Sequence, residues 1–331
     1  MKTKILRSSL KEICHSISKL ETDTILLMVD EKVNKLYGKK INIKGKKVYT
    51  YLVPQGEKGK TFAQYEKCMD YFLSKGIHRQ VHLVAIGGGV TSDLAGFVAS
   101  TLLRGISWSV VPTTLLSMVD ASIGGKTGIN SRFAKNQIGT FHFPQWVWLD
   151  YGFLKTLSEE ELVSGKGEIL KYSFLSKEIG NFIDQKGFHL DLIEACAELK
   201  LKLVKLDPFE TKGKRVVLNL GHSFGHAFEK MWKLPHGIAV ACGIGEIFRL
   251  FDMNDQVDIW HNRMQLLGFD LSMDRLTLSD IKKVLSLMQN DKKKGAKDIL
   301  HLIVPSSKSI LVKEVYLKEL EENFKDLHGY T

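Results

Sequence analysis

The chain has 331 residues, 44% hydrophobic and 25% charged, and its 47 lysines and arginines against 37 acids give a formal net charge of +10. At roughly 100–200 residues per domain, two domains with sizeable cores are expected. No stretch reaches ~18 apolar residues, so no membrane-spanning helix is expected, and apart from DKKKGAKD the basic residues are scattered without an aromatic-basic nucleic-acid module. The positive field instead suits an anionic small molecule, a phosphorylated metabolite above all.

Cys14, Cys68, Cys196 and Cys242 are far apart and form no CxxC pair, so reduced, packed cysteines are expected. The N-terminal MKTKILRSSLKEICHSISK has no apolar run of signal-peptide length. A cytoplasmic enzyme fits these features.

In chain order, TILLMVD (24–30) and KVYTYLV (47–53) read as strands, and TFAQYEKCMDYFLSKG (61–76) as an amphipathic helix ending at glycine. QVHLVAIGGG (80–89) is a buried strand entering a turn, and SDLAGFVASTLLRG (92–105) is a helix with Thr91 or Ser92 as N-cap. SWSVVPTT (107–114) and WVWLD (146–150) are further strands. This alternation predicts an α/β domain with a largely parallel sheet over 1–157, and the glycine turn within it makes this Rossmann-like domain the nucleotide-binding one. Helical spacing then runs through 158–177, 189–206, 222–233, 237–251, 255–267, 278–290 and 313–326, with DILHLIVP (298–305) as the one extended segment. A mostly α-helical domain is therefore expected over 158–331, and the histidines taken up below make it the metal-binding domain.

Three segments carry chemistry. Gly87, Gly88 and Gly89 let backbone approach a pyrophosphate at a helix N-terminus, although GxGxxG is absent. Asp93 either meets a cofactor hydroxyl or simply sits in the first helical turn, and QGEKGK, with Glu57 and Lys60, reads on spacing as a solvated loop. MVDASIGGKTGIN (118–130) is an irregular glycine-rich stretch whose Lys126, with Asn136 beyond it, could reach an oxyanion. Finally, His222 and His226 lie four apart and share a helical face, His236 follows, and Glu168 and Lys171 stand upstream in GEILKY. Glu168 with two of the three histidines would make a His2Glu zinc site with an open position. The third histidine would be free for proton transfer or phosphate binding.

Together GGGVTSDLAGF, VPTTLLSMVDASIGGKTGIN, KNQIGTF, GEILKY, LNLGHSFGHAFE and PHGIAVACG, in that order between about Gly56 and Pro305, resemble the 3-dehydroquinate synthase family of sugar phosphate cyclases. The resemblance implies NAD, a divalent metal (zinc or cobalt) and a homodimer. It also implies conversion of 3-deoxy-D-arabino-heptulosonate 7-phosphate to 3-dehydroquinate and phosphate, by transient oxidation, phosphate elimination, reduction and aldol closure. It makes Glu168, His222 and His236 the metal ligands and places His226 near the substrate phosphate. Lys126, Asn136, Lys171, Lys200, Arg215 and Asn219 match the substrate pocket, Lys200 only across a one-residue insertion before Arg215. Lys292 or Lys293 matches a late phosphate-binding lysine. Arg104 matches an arginine that reaches a neighbouring subunit's site. Asp30, Glu57, Lys60, Gly88, Gly89, Asp93, Thr113, Thr114, Asp120, Lys126, Lys135 and Thr156 match the cofactor side. Three departures stand out: Ile238 replaces a common glutamate, Lys166 and Gly167 occupy positions where small or apolar residues are common, and the region before Gly56 is short. Another sugar phosphate cyclase, a metal-dependent alcohol dehydrogenase and a non-catalytic binding protein are the competing readings. Arg215 and Asn219 favour a substrate bearing a carboxylate.

Overall fold

A computed structural model describes residues 2–271, 276–291, 299–305 and 310–330. The chain divides into two compact units, Met1–Ser158 with Lys200–Phe209, and Glu159–Leu199 with Glu210–Thr331.

The first unit runs β1 (Lys4–Arg7), α1 (Leu10–Ser18), β2 (Thr24–Asp30), α2 (Glu31–Tyr37), β3 (Lys47–Val53), α3 (Phe62–Leu73), β4 (His82–Gly87), α4 (Gly89–Thr101), β5 (Ser107–Pro112), β6 (Lys126–Ile129), β7 (Ile138–Phe141) and β8 (Trp146–Leu149). Six of these strands form one sheet in the order β1-β8-β5-β4-β2-β3, and every pairing in it is parallel. Parallel strands are covered on both faces and read as unbroken apolar runs. Accordingly β4 is buried throughout, and β2 up to its last residue. One face rests on α3, where Cys68 meets Met28 and Phe72 packs against Tyr51.

Topology decides where a ligand can sit. From β2 the chain moves outward to β3, then returns across β2 to β4 and continues the other way through β5. The direction therefore reverses between β2 and β4. In open α/β sheets, ligands occupy the crevice outside the carboxyl ends of strands at such a point. Asp30 ends β2, and Gly87–Gly89 join β4 to α4.

Three local expectations are corrected here. α4 starts at Gly89 with Gly88 as N-cap and no side-chain capping bond, so neither Thr91 nor Ser92 caps it. Both are buried inside the helix, where the glycines had already begun the turn. The 118–130 stretch is not irregular: a π-turn spans Ser117–Ala121, and β6 pairs antiparallel with β7. Its glycines hid the strand because they permit backbone-to-backbone approach, as between Gly128 and Gly139. β1 went unread because four residues with two charges carry no burial pattern; it becomes a strand by pairing with β8.

The second unit holds α5 (Glu159–Leu175), α6 (Lys177–Lys186), α7 (Asp191–Leu206), α8 (His222–Trp232), α9 (His236–Leu250), α10 (Asn254–Leu266), α11 (Leu278–Asp291), β9 (Ile299–Pro305), β10 (Ile310–Tyr316) and α12 (Leu317–Leu327). The last residues of α7 count with the first unit. Arg263 of α10 donates to both Asp184 carboxylate oxygens and to the Ser173 carbonyl, tying α10 to α6 and α5. The expected helix over 313–326 is wrong in its first turn. Residues 310–316 pair antiparallel with β9, and the helix starts at Leu317. Lys313 and Glu314 are good helix formers, but pairing with a preformed strand outweighs propensity.

His82 opens β4 nearly buried, its Nε2 2.8 Å from Ser109 Oγ. Burial pushes its pKa down to about 4 from 6.5. A group depressed on folding takes up its proton more readily when unfolded, so its contribution is intact above pH 6.5 and fades as pH falls toward about 4. That contribution is worth ~3 kcal/mol over the window. Chemical denaturation between pH 7 and pH 4 should show part of the acid destabilisation vanish in His82→Gln; an unchanged pH slope would contradict it.

Candidate active site

Glu168, His222 and His236 come together in the second unit, with one ligand atom from each lying within 4.8 Å of the others. Glu168 Oε1 is 3.7 Å from His222 Nε2 and 3.5 Å from His236 Nε2. The three side chains come from α5, α8 and α9, and each adjoins a glycine at a helix crossing. A methyl group on Gly167 would overlap the Gly237 carbonyl, one on Gly237 the Ser164 carbonyl, and one on Gly243 the Gly221 carbonyl. Gly237 N also donates to Ser164 Oγ at 3.2 Å. Gly221, at φ 77°, turns the chain into α8 so that His222 is its first residue. The departure noted at Gly167 is thus what lets α5 touch α9.

The donor set fits a divalent ion. Glu168 is fully buried, a state a carboxylate tolerates only when its charge is met. Its charge is balanced by an ion pair with the buried Lys171 amine one turn on. Burial, then the Lys171 charge, lowers the His222 pKa to about 3, so this imidazole is neutral and able to donate a lone pair. His236 moves the other way: burial opposes its charge, but hydrogen bonds to Glu168 and Glu229 and their charges raise it to about 9. A proton on His236 stands where a cation would otherwise satisfy Glu168. His226, four residues along α8, sits half-buried with its ring 5.4 Å from that of His222. Lys171, which the resemblance places in the substrate pocket, forms an ion pair with Glu168.

In the first unit, several of the residues that the resemblance assigns to the cofactor lie about the β4–α4 turn. Any side chain on Gly88 would press against Thr114, which a Cβ would approach to 3.0 Å. The bare turn leaves the first amides of α4 to an anion. Thr113 N donates to Gly87 O at 2.9 Å, which fixes the floor of the turn. Lys60 is not solvated as its loop suggested: it is 4% exposed and pairs with Asp93 at 2.7 Å. Lys200 Nζ lies 2.7 Å from Asp120 Oδ2 and donates to the Asp120 carbonyl, so both belong to this unit.

One residue missed in the sequence links several of these. Asn130 donates to the Lys60 carbonyl through its backbone and to Glu57 through its side-chain amide, and its Oδ1 accepts from Asn136 N at 3.1 Å. Asn136 takes φ 58°, a conformation asparagine tolerates. Only a preference for turns marked Asn130 beforehand. Lys126, Lys135 and Asn136 are exposed. Asp30 caps α2 through Lys32 N and Val33 N, and Thr156 Oγ1 lies 3.0 Å from Tyr37 Oη. Arg215 is 4% exposed and faces Glu210 at 3.3 Å, while Asn219 is exposed at the end of the same 3-10 turn. Arg104 is exposed within a left-handed run that also includes Leu103 and Gly105. Lys292 and Lys293 lie outside the described residues.

A parallel sheet with a bare glycine turn at its switch point, followed by a helical unit, is a fold shared with solved proteins. It matches 2-deoxy-scyllo-inosose synthase, solved with carbaglucose-6-phosphate, NAD+ and Co2+, at TM-score 0.78 and 22% identity over 97% of this chain and 96% of that one. It also matches 2-epi-5-epi-valiolone synthase of Streptomyces hygroscopicus subsp. jinggangensis 5008, solved with NAD+ and Zn2+, at TM-score 0.77 and 24% identity over 99% and 97%. Sequence narrows the class. Family models for the 3-dehydroquinate synthase N-terminal and C-terminal regions match residues 50–164 and 165–294. A curated 3-dehydroquinate synthase of Staphylococcus aureus (strain MRSA252) is 37% identical over 325 residues, 93% of this chain and 91% of that protein. The chain belongs to the 3-dehydroquinate synthase family.

Two outcomes follow from the metal cluster. Gly167→Ala, which changes no ligand, should destabilise the protein by about 1–3 kcal/mol through overpacking and lower the zinc retained after dialysis; wild-type zinc content would show that α5 need not touch α9. Because His236 holds its proton up to about pH 9, zinc uptake near pH 7 should release close to one proton from this residue. Its affinity should rise with pH toward that value. Calorimetry in buffers of differing ionisation enthalpy reads this proton, and a buffer-independent heat would refute it.

Proposed function

We propose that this chain converts 3-deoxy-D-arabino-heptulosonate 7-phosphate to 3-dehydroquinate and phosphate, as an NAD- and divalent-metal-dependent enzyme. The observation that carries the reading is the fully buried Glu168 carboxylate set between two imidazoles, in a chain of this family. When bound, the nicotinamide accepts and returns a hydride, and zinc or cobalt polarises the alcohol being oxidised.

The chain's own residues bind and orient. Glu168, His222 and His236 hold the ion, and Lys171 pairs with the Glu168 carboxylate beside them. Gly88, Gly89 and the first amides of α4 receive the pyrophosphate of the nucleotide, on a turn steadied by the Lys60–Asp93 pair. Glu57, Thr113, Thr114, Asp120, Lys135, Asp30 and Thr156 complete the nucleotide side.

The substrate is flexible and anionic at both ends, so fixing those ends is the main work of the pocket. Lys126, Asn136, His226 and Lys292 serve the phosphate. Arg215, with Asn219 and Lys200, serves the carboxylate, for which a planar guanidinium offers two parallel donors. In a homodimer, Arg104 would serve the site of the second copy. No helix among the described residues is long and apolar enough to cross a membrane, and a cytoplasmic location is part of the proposal.

The test is turnover by purified protein with NAD and zinc, following phosphate and cyclic product. Heptulosonate phosphate should give both in equal amounts with no net accumulation of NADH. Arg215→Ala should lose roughly 10- to 100-fold in kcat/KM, the size of a charged hydrogen bond, with NAD binding unchanged. Turnover of glucose 6-phosphate or sedoheptulose 7-phosphate instead, or steady build-up of NADH, would overturn the assignment.

A further inference from the structure

α8 does more than supply one ligand. His222, His226 and Glu229 fall at positions i, i+4 and i+7 of this helix, one above another on a single face. At the far end of that row, Glu229 Oε2 lies 3.1 Å from Nδ1 of His236, the ligand supplied by α9. The opposite ring nitrogen, Nε2, is the one that faces Glu168, at 3.5 Å. His222 is arranged in the same sense, with Nδ1 3.1 Å from the Leu220 carbonyl and Nε2 toward Glu168. Each ligand imidazole thus has an acceptor behind it and the ion site in front. For His222 the acceptor is a backbone carbonyl fixed by the fold. For His236 it is a replaceable, half-buried carboxylate.

We infer that Glu229 is a positioning residue of the metal centre, accepting the Nδ1–H of His236 so that the Nε2 lone pair points at the ion. The inference rests on the metal reading above and deepens it. An imidazole that can rotate, or that carries its proton on Nε2, offers the ion nothing. A carboxylate on Nδ1 removes both faults and makes Nε2 more basic. His236 needs this more than His222 does, because His236 is the more exposed of the two side chains, 31% against 15%. α8 therefore contributes twice to one ion, directly through His222 and indirectly through Glu229.

The experiment measures zinc affinity by competition with a chelator of known strength, for the wild-type protein, Glu229→Ala and Glu229→Gln, with the thermal stability of each metal-free protein alongside. Glu229→Ala should bind zinc about 10- to 100-fold more weakly, with a clearly smaller fall in metal-free stability. Glu229→Gln, which keeps an acceptor oxygen, should recover part of that loss. Wild-type affinity in Glu229→Ala would overturn the inference while leaving the metal site standing. So would a loss matched by an equal fall in metal-free stability, or a Gln variant no better than Ala. Failure of the wild-type protein to bind zinc would instead sink the metal reading itself.

Discussion

Everything at the metal centre depends on three helices coming closer than side chains normally allow. Carboxylate and imidazole arms are short, so the backbones of α5, α8 and α9 must nearly touch for one ion to reach all three. Glycine supplies that approach at Gly167, Gly237, Gly221 and Gly243, each at a crossing where a methyl group would collide with a carbonyl oxygen or a side chain. The ligands sit beside these glycines in sequence: Glu168 after Gly167, His222 after Gly221, His236 before Gly237. Packing and ligation are therefore one constraint. The helices cannot separate without opening the site, and the site cannot be filled unless the helices stay in contact.

That arrangement has an electrostatic consequence. Glu168 is fully buried, and the Lys171 charge next to it meets its own. The same surroundings push the two histidines apart: one is held neutral, and the other holds a proton against burial. Titratable groups driven in opposite directions within one small volume are a recurrent feature of functional sites. A purely structural cluster would have been cheaper to build from apolar residues.

The nucleotide-binding side is organised by topology. The reversal of strand order between β2 and β4 marks where open sheets of this kind receive a ligand, and the bare turn at Gly88 follows β4 there. Around it, loops far apart in sequence are joined by a few polar contacts. Lys60 reaches Asp93, and Asn130 ties the 57–60 turn to the loop carrying Asn136. These links put residues expected to serve nucleotide and substrate on one framework within the first unit.

The parallel sheet was legible in the sequence because strands buried on both faces carry unbroken apolar runs. The His2Glu set was legible because its residue types are rare together and its motifs are specific to one family. Period alone failed at β10, where pairing with β9 overrode helix formers, and at β6, where glycines gave no pattern. The burial of Lys60, the junction role of Asn130 and the contact between Glu229 and His236 were invisible beforehand. Each depends on segments that meet only after folding, and a polar residue in a linear string does not reveal which distant partner will satisfy it. The amino-acid order by itself determined which chemistry this protein carries. The tertiary structure decided which atoms face one another, because distances of 3 to 4 Å between residues tens of positions apart are set by helix crossings and strand order, not by local pattern.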